Sequence, residues 1–255
     1  MLRWCSYCQQ FLGETPSYED LSVTHGICPE CTPKSRTFSK SDFSHARALQ
    51  NFQRQLFEAG QRNDLKAAEG VIKSAATWNI RAVDILLGII SPLLYQIGED
   101  WKLGVIGVAD EHRFTTFCEA VFERVATTVK VSAATDAEQD GRVEFLLMNA
   151  PGNNHVLAVR ILALWLQNKG KRARIADSAI GLNELVALIG KTTPRYLLVS
   201  MALAEQNRGV KAIAERISGL PELTRPRVVV GGYAVKRGLV SAIPGADLMA
   251  DISAL

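Results

Sequence analysis

The chain has 255 residues, 47% hydrophobic, 22% charged and 7% aromatic, with a formal charge of +3. Such a composition belongs to a globular protein with room for more than one core and excludes collagen-like, disordered and disulfide-scaffold chains. With 29 Lys and Arg against 26 Asp and Glu, charge alone makes no case for nucleic-acid binding.

Four of the five cysteines lie in the first 31 residues, as Cys5-Ser6-Tyr7-Cys8 and Cys28-Pro29-Glu30-Cys31 with 19 residues between the pairs. The same segment has no apolar run of signal-peptide type. The most apolar stretch, Ile85 to Ile97, is shorter than a membrane span and contains Ser91, Pro92 and Gln96. The expectation is a cytoplasmic protein without a membrane segment, whose thiols stay reduced. Paired cysteines at this spacing fit a tetrahedral zinc site, four thiolates closing the shell and leaving no position for catalysis. A redox-active or unliganded CxxC pair is the alternative. A module this short and poor in large apolar residues needs the metal to fold. The reading is a zinc-ribbon-like module over residues 1–36, in which Trp4, His25 and Tyr18-Glu19-Asp20 form a solvated loop or, alternatively, a contact surface.

Thr32 to Ser44 reads as a linker. From 45 to 134 the periodicity is helical. Leu49, Phe52, Leu56 and Phe57 share one helix face. Leu65, Ala68, Val71, Ile72 and Ala75 share a second, with Asn63 as N-cap. A third helix spans about Arg81 to Trp101 and should kink or break at Pro92. A fourth runs from about Gly107 to Val131, with Phe114, Phe117, Val121 and Val125 inward and Cys118 in the core. Together they predict a four-helix bundle.

Thr135 to Gly141 is a second, acidic linker. Residues 142–255 then alternate strand and helix, with strands at Val143–Met148, Arg174–Ala176, Tyr196–Val199, Val228–Val230 and Asp247–Ala250. Helices are expected at 154–169, 182–191, 203–218 and 234–241. Continuous apolar strands in this order predict a doubly wound parallel sheet of flavodoxin-like order, an α/β fold that binds ligands at the carboxyl strand ends. Those ends carry Asn153, His155, Ser200, Gly231 and Gly232. The last helix should be very short or missing. Gly190-Lys191-Thr192 mimics a phosphate loop, but Leu185 stands where its first glycine belongs, and the tripeptide ends a helix.

A lone histidine near a helix start is usually structural or solvated, but at this edge a neutral imidazole at His155 suits a borderline metal such as cobalt or iron. Glycines at 231 and 232 let a backbone approach a bulky ligand tail, or simply make a turn. In the bundle, Trp101 ends one helix, and nine residues later Glu111-His112 opens the next, so an indole, a carboxylate and an imidazole can converge. The plain alternative makes Trp101 a core residue and Glu111 a first-turn acid favoured by the helix dipole.

A four-helix cap followed by a doubly wound sheet, with a histidine after the first strand, resembles the cobalamin-binding module of methionine synthase and corrinoid proteins. Trp101-x9-Glu111-His112 resembles the signature of the adenosylcobalamin photoreceptors of the CarH and LitR type. The resemblance spans about 45–255. With a cysteine module in place of a DNA-binding domain, the plan is similar to that of the AerR/PpaA regulators. It implies a non-enzymatic sensor of light or redox state that binds adenosyl-, methyl- or hydroxocobalamin and regulates transcription through a protein partner. Direct DNA binding is not indicated, and oligomeric state is not legible. By the same resemblance His155 is the lower cobalt ligand, and Ser200, Gly231 and Gly232 line the slot for the displaced tail. Trp101 covers the upper face beside Glu111 and His112.

The family motif is Asp or Glu, any residue, His, two residues, Gly. Here it reads Asn153-Asn154-His155-Val156-Leu157-Ala158. Asn153 keeps a hydrogen-bonding group for the imidazole without the charge, and such losses typically cost about 10- to 100-fold in metal affinity. Ala158 adds a methyl where the tail passes. Three alternatives therefore stay open: a heme-binding sensor on the same fold, a corrinoid methyl carrier of a methyltransferase system, and a scaffold that has lost its ligand.

Overall fold

The computed structural model describes residues 1–34, 40–129, 141–177 and 179–251. The chain forms two compact units, Met1–Val129 and Lys130–Leu255.

The first unit opens with three short strands, β1 (Leu2–Cys5), β2 (Phe11–Glu14) and β3 (Val23–Gly26), in the order β2-β1-β3. β1 pairs antiparallel with β2 and parallel with β3. Four helices follow: α1 (Lys40–Gln61), α2 (Leu65–Thr77), α3 (Ala82–Lys102) and α4 (Val108–Thr128). Their predicted apolar faces are inside: Leu49, Phe52, Leu56, Ala68, Val71, Ala75, Phe114, Phe117, Val121 and Val125 are buried, as is Cys118. The thiol of Cys118 is pushed up by that burial, with the Glu119 charge adding to it. Phe114 packs 5.7 Å from Phe57 and 6.0 Å from Phe117, centroid to centroid. Gly60 lets it in, since a Cβ there would meet the Phe114 ring at 2.4 Å.

Three details differ from expectation. Asp64, not Asn63, caps α2, its carboxylate accepting from the Ala67 N–H at 2.9 Å. Asn63 instead takes a left-handed conformation at φ 53°, which asparagine tolerates. Pro92 does not break α3, because the helix widens into a π turn at Leu86–Ile90 just before it. A proline ring clashes with the carbonyl four residues back, and the wider turn displaces that carbonyl. Helix α3 is long and apolar enough to cross a membrane, but most of it is buried inside this unit, as a core helix of the bundle. The third difference concerns Trp4. Expected in a solvated loop or on a contact surface, it is fully buried, set edge-on to Phe11 at 5.3 Å, and both rings lie against Gly88 of the π turn. Residues 1–34 and the bundle, read as parts of separate domains, therefore lie in one compact unit.

The second unit is a five-stranded parallel sheet in the order β5-β4-β6-β7-β8, the flavodoxin-like order expected. Its strands are β4 (Phe145–Asn149), β5 (Ala173–Ile175), β6 (Tyr196–Ser200), β7 (Arg227–Gly231) and β8 (Asp247–Leu248). Between them run α5 (Val156–Asn168), α6 (Leu182–Thr192), α7 (Asn207–Ser218) and the short α8 (Tyr233–Lys236). The strands alternate sides. Leu146 and Met148 of β4 join Leu185, Ile189, Val210, Ile213 and Ile217 in one core. Lys191 and Thr192 close α6, and Thr193 caps it in a left-handed turn, so this tripeptide is a helix end as read. The linker over 135–140 and residues 252–255, where the last helix is expected to be very short or missing, fall outside the described residues.

Candidate functional site

At the carboxyl edge of the sheet, Asn149, Ser200 and Gly231 face one another in register on β4, β6 and β7. The loop after β4 turns at Pro151-Gly152, with Gly152 at φ 80°, and delivers Asn153 and His155. Asn153 is 2% exposed. Its Nδ2 donates to the Ser200 carbonyl at 3.0 Å, and its Oδ1 accepts the His155 backbone N–H at 3.1 Å. The carboxamide thus ties the loop to β6 and holds the His155 backbone. The expected bond to the imidazole is not the one it makes. A carboxylate at 153 could accept from His155 but could not donate to Ser200, which gives asparagine a reason of its own here.

His155 is the N-terminal boundary residue of α5, exposed, and makes no side-chain capping bond. Its imidazole is left over for another partner, at the edge where doubly wound sheets bind ligands. Gly231 and Gly232 have a local structural role: a Cβ on Gly231 would lie 2.9 Å from the Met249 carbonyl oxygen, and one on Gly232, at φ 98°, 2.6 Å from that of Met201. The close approach they permit is backbone to backbone.

Sequence reasoning puts Asn149 at the same strand end but gives it no role. It ends the apolar run Phe-Leu-Leu-Met, is 1% exposed, and among the described residues neither its Nδ2 nor its Oδ1 has a hydrogen-bond partner. Burying an unpaired amide costs about 1–3 kcal/mol. A polar residue closing an all-apolar strand at a ligand-binding edge was the available signal. Such an orphaned group, beside the loop that presents His155, fits an edge built to receive a polar ligand.

In the first unit, Trp101 lies in the last turn of α3 and is 49% exposed, so it is not the core residue of the plain alternative. Glu111 and His112 lie in the first turns of α4, across residues 103–107. Glu111 is half-buried, accepts from the Thr115 hydroxyl at 2.9 Å, and its Oε2 is 3.5 Å from Nε2 of the exposed His112. Leu103, Val105 and Val108 around the same turn are exposed as well. Together with Trp101 they form an apolar patch of the kind that marks a binding surface.

Cys5, Cys8, Cys28 and Cys31 come together as free thiols, all four Sγ atoms within 4.8 Å of one another. Cys8 and Cys28 are 3.7 Å apart. Tetrahedral zinc with bonds of about 2.3 Å places its sulfurs about 3.8 Å apart, so the cage has the right size. The β1–β2 turn brings Cys8 back beside Cys5, and the Cys28 N–H donates to the Cys5 sulfur at 3.4 Å. Burial pushes the Cys5 thiol up, but N–H groups of Cys8, Cys28 and Tyr7 outweigh it and bring it down to about 7. Burial and the Cys5 charge push Cys8 the other way. One thiolate is thus favoured without a cation, and a dication is what would favour the rest.

Beside this cage Arg81 makes a two-pronged pair with the fully buried Asp84, at 2.7 and 2.9 Å. Burial works against the Arg81 charge, but Asp84 outweighs it, and Cys8 and Glu30 add to the attraction. A cation sits where the cysteine cage carries its negative charge. An Arg-x-x-Asp pair opening a helix is too common for the sequence alone to have marked it.

Comparisons with known proteins agree with this geometry. Residues 53–125 match the family described as B12 binding domain. The chain is 29% identical over 157 residues to an uncharacterized 20.5 kDa protein in the bchF-crtJ intergenic region of Rhodobacter capsulatus, covering 60% of this chain and 78% of that protein. The structure is similar to the Methanosarcina barkeri monomethylamine corrinoid protein, with a TM-score of 0.63 at 16% identity, covering 80% of this chain and 94% of that one. A cobalamin-binding protein from Desulfitobacterium hafniense is more distant, with a TM-score of 0.42 at 13% identity over 79% of this chain and 93% of that one. Residues 53–125 thus match a B12 binding domain, in a chain whose fold is similar to that of a corrinoid protein.

Proposed function

We propose that the protein is a cobalamin-binding sensor of light or redox state that regulates transcription through a protein partner in the cytoplasm, without catalysing a reaction of its own. The observation that carries the reading is the uncommitted His155 imidazole, exposed at the carboxyl edge on a loop pinned by Asn153. The orphaned Asn149 carboxamide beside it and the B12 binding domain match at 53–125 support it. Bound cobalamin would supply a cobalt whose axial ligands can be exchanged. His155 would hold the cobalt from the sheet unit, its position set by Asn153. By the resemblance, Trp101, Glu111 and His112 would offer an indole face, a carboxylate and a second imidazole to the cofactor. The four cysteines would hold zinc as a structural ion, since their closed shell leaves no site for a reactant.

The test is an absorption spectrum of the purified protein with adenosyl-, methyl- and hydroxocobalamin, in the dark and after illumination, repeated with His155→Ala. A bound, light-dependent corrin spectrum that His155→Ala alters is expected; a protein that takes up none of these forms would sink the reading. The second reading, a corrinoid methyl carrier, is favoured by the fold shared with the monomethylamine corrinoid protein. Methyl transfer from methylcobalamin-loaded protein to a methyltransferase acceptor would support it against the sensor. Heme has no comparable support, and loading with hemin is the control.

A further inference from the structure

Two buried asparagines stand close in sequence at the carboxyl edge of the sheet, and only one of them is satisfied. Asn153, 2% exposed, has its Nδ2 on the Ser200 carbonyl and its Oδ1 on the His155 N–H. Asn149, 1% exposed, has a hydrogen-bond partner on neither Nδ2 nor Oδ1 among the described residues. The nearest backbone groups are already taken, since the Ala150 N–H also donates to the Ser200 carbonyl, at 2.9 Å. Buried polar groups are nearly always paired, so a carboxamide with both its donor and its acceptor free asks for a reason.

Strand register fixes where this amide lies. Side chains alternate between the two faces of a strand. Leu146, Met148 and Ala150, with Leu197, Val199 and Met201 on the neighbouring strand, belong to the core shared with α6 and α7. Asn149 and its register partner Ser200 therefore lie on the opposite face, the one that α5 covers. His155 is the boundary residue of that same helix, with its side chain exposed. An exposed imidazole thus stands at the rim, and an unpaired amide lies buried on the α5 side beneath it.

A corrinoid has two parts that match these two positions. Its ring is broad and rigid and can meet only the exposed imidazole. Its nucleotide arm is narrow and flexible, and is the part able to enter beside α5 and reach a buried group. Corrinoids differ in the base that ends this arm. Dimethylbenzimidazole carries two methyl groups on its outer edge and would leave both groups of the Asn149 amide unpaired. Adenine carries an N–H donor and a ring-nitrogen acceptor side by side, a pattern that an asparagine side chain meets with two hydrogen bonds.

We infer, on the cobalamin reading above, that Asn149 selects the lower base, so that the site favours a corrinoid ending in adenine over one ending in dimethylbenzimidazole. A two-pronged pair of this kind discriminates by roughly five- to a hundredfold.

The experiment is an absorbance titration of the full-length protein with hydroxocobalamin, its adenine-based counterpart, and cobinamide, which has no nucleotide. The parent should bind the adenine form at least about fivefold more tightly than hydroxocobalamin. Asn149→Leu, similar in size but without either polar group, should abolish that preference and bind cobinamide as the parent does. It should also melt no lower than the parent, because it removes an unpaired buried amide. Equal affinity of the parent for the two bases would overturn the inference without any variant, and so would a preference that survives Asn149→Leu. Equal loss of all three ligands in a folded variant would set Asn149 against the ring and overturn it as well. Uptake of hydroxocobalamin without any preference leaves the cobalamin reading standing and removes only the base selectivity; uptake of none of the three removes both.

Discussion

Replacing Gly88 with alanine probes the seam between the cysteine module and the bundle. A Cβ at this position would lie 2.6 Å from Cζ2 of Trp4 and 2.7 Å from Cδ2 of Phe11, well inside the roughly 3.5–4.0 Å at which carbon atoms attract. Trp4 is fully buried and Phe11 is 3% exposed, so neither ring can swing into solvent. Overpacking of this kind costs about 1–3 kcal/mol. Alanine in a helix gains about 1 kcal/mol over glycine, leaving a net loss of up to about 2 kcal/mol. Gly98, further along α3, supplies the reference, because nothing lies within 4 Å of a Cβ there. Gly98→Ala should show the gain alone, about 1 kcal/mol. For a unit of this size each kcal/mol moves the melting temperature by about 4 °C. Calorimetry of the zinc-loaded protein should therefore find Gly98→Ala above the parent and Gly88→Ala below it. If Gly88→Ala melted with Gly98→Ala, the packing of Trp4 and Phe11 on the π turn would be refuted.

Three further outcomes are expected. Asn153→Asp removes the donor to the Ser200 carbonyl and sets a carboxylate against it, so the second unit should lose about 1–3 kcal/mol; an unchanged denaturant midpoint would mean the asparagine is not pinning the loop. If the four cysteines hold zinc as proposed, chelation, or Cys28→Ser, should melt the module and lower the unfolding temperature of the first unit, because the ion would supply its folding energy; a melt indifferent to chelator would argue against a structural ion. In the metal-free protein the thiolate absorption should show one step near pH 7 that Cys5→Ser removes. Since the folded pKa of Cys5 lies below its ordinary value, its stabilising contribution is complete above that ordinary value and is lost as pH falls through about 7. Titration of every thiol near pH 9 would contradict the N–H cradle around Cys5.

Much of the fold was legible because its signals are local. The alternation of apolar strands with amphipathic helices specified a parallel sheet, and the strand order came out as expected. The CxxC spacing likewise specified the four-sulfur cluster. Less legible were features that depend on what a residue meets after folding. Trp4 reads as a surface aromatic until the π turn opposite it is known, and Pro92 reads as a break until that turn absorbs it. Asn153 reads as a weakened form of an acidic residue. Only its contact with Ser200, 47 positions away, shows why a donor is needed there.

The sequence by itself determined the element types, the cysteine cage and the edge of the sheet to which His155, Ser200, Gly231 and Gly232 come, because periodicity and spacing act within a few residues. Tertiary structure decided which groups remain uncommitted there. His155 is uncapped and exposed, and Asn149 is buried without a partner, while Gly231 and Gly232 are taken up by neighbouring backbone. It also decided what the charge of +3 conceals. Net charge is a sum over the chain, whereas a field depends on position, and only the strand register sets Arg172 and Arg195 on either side of Glu144 and Arg227 beside Tyr196.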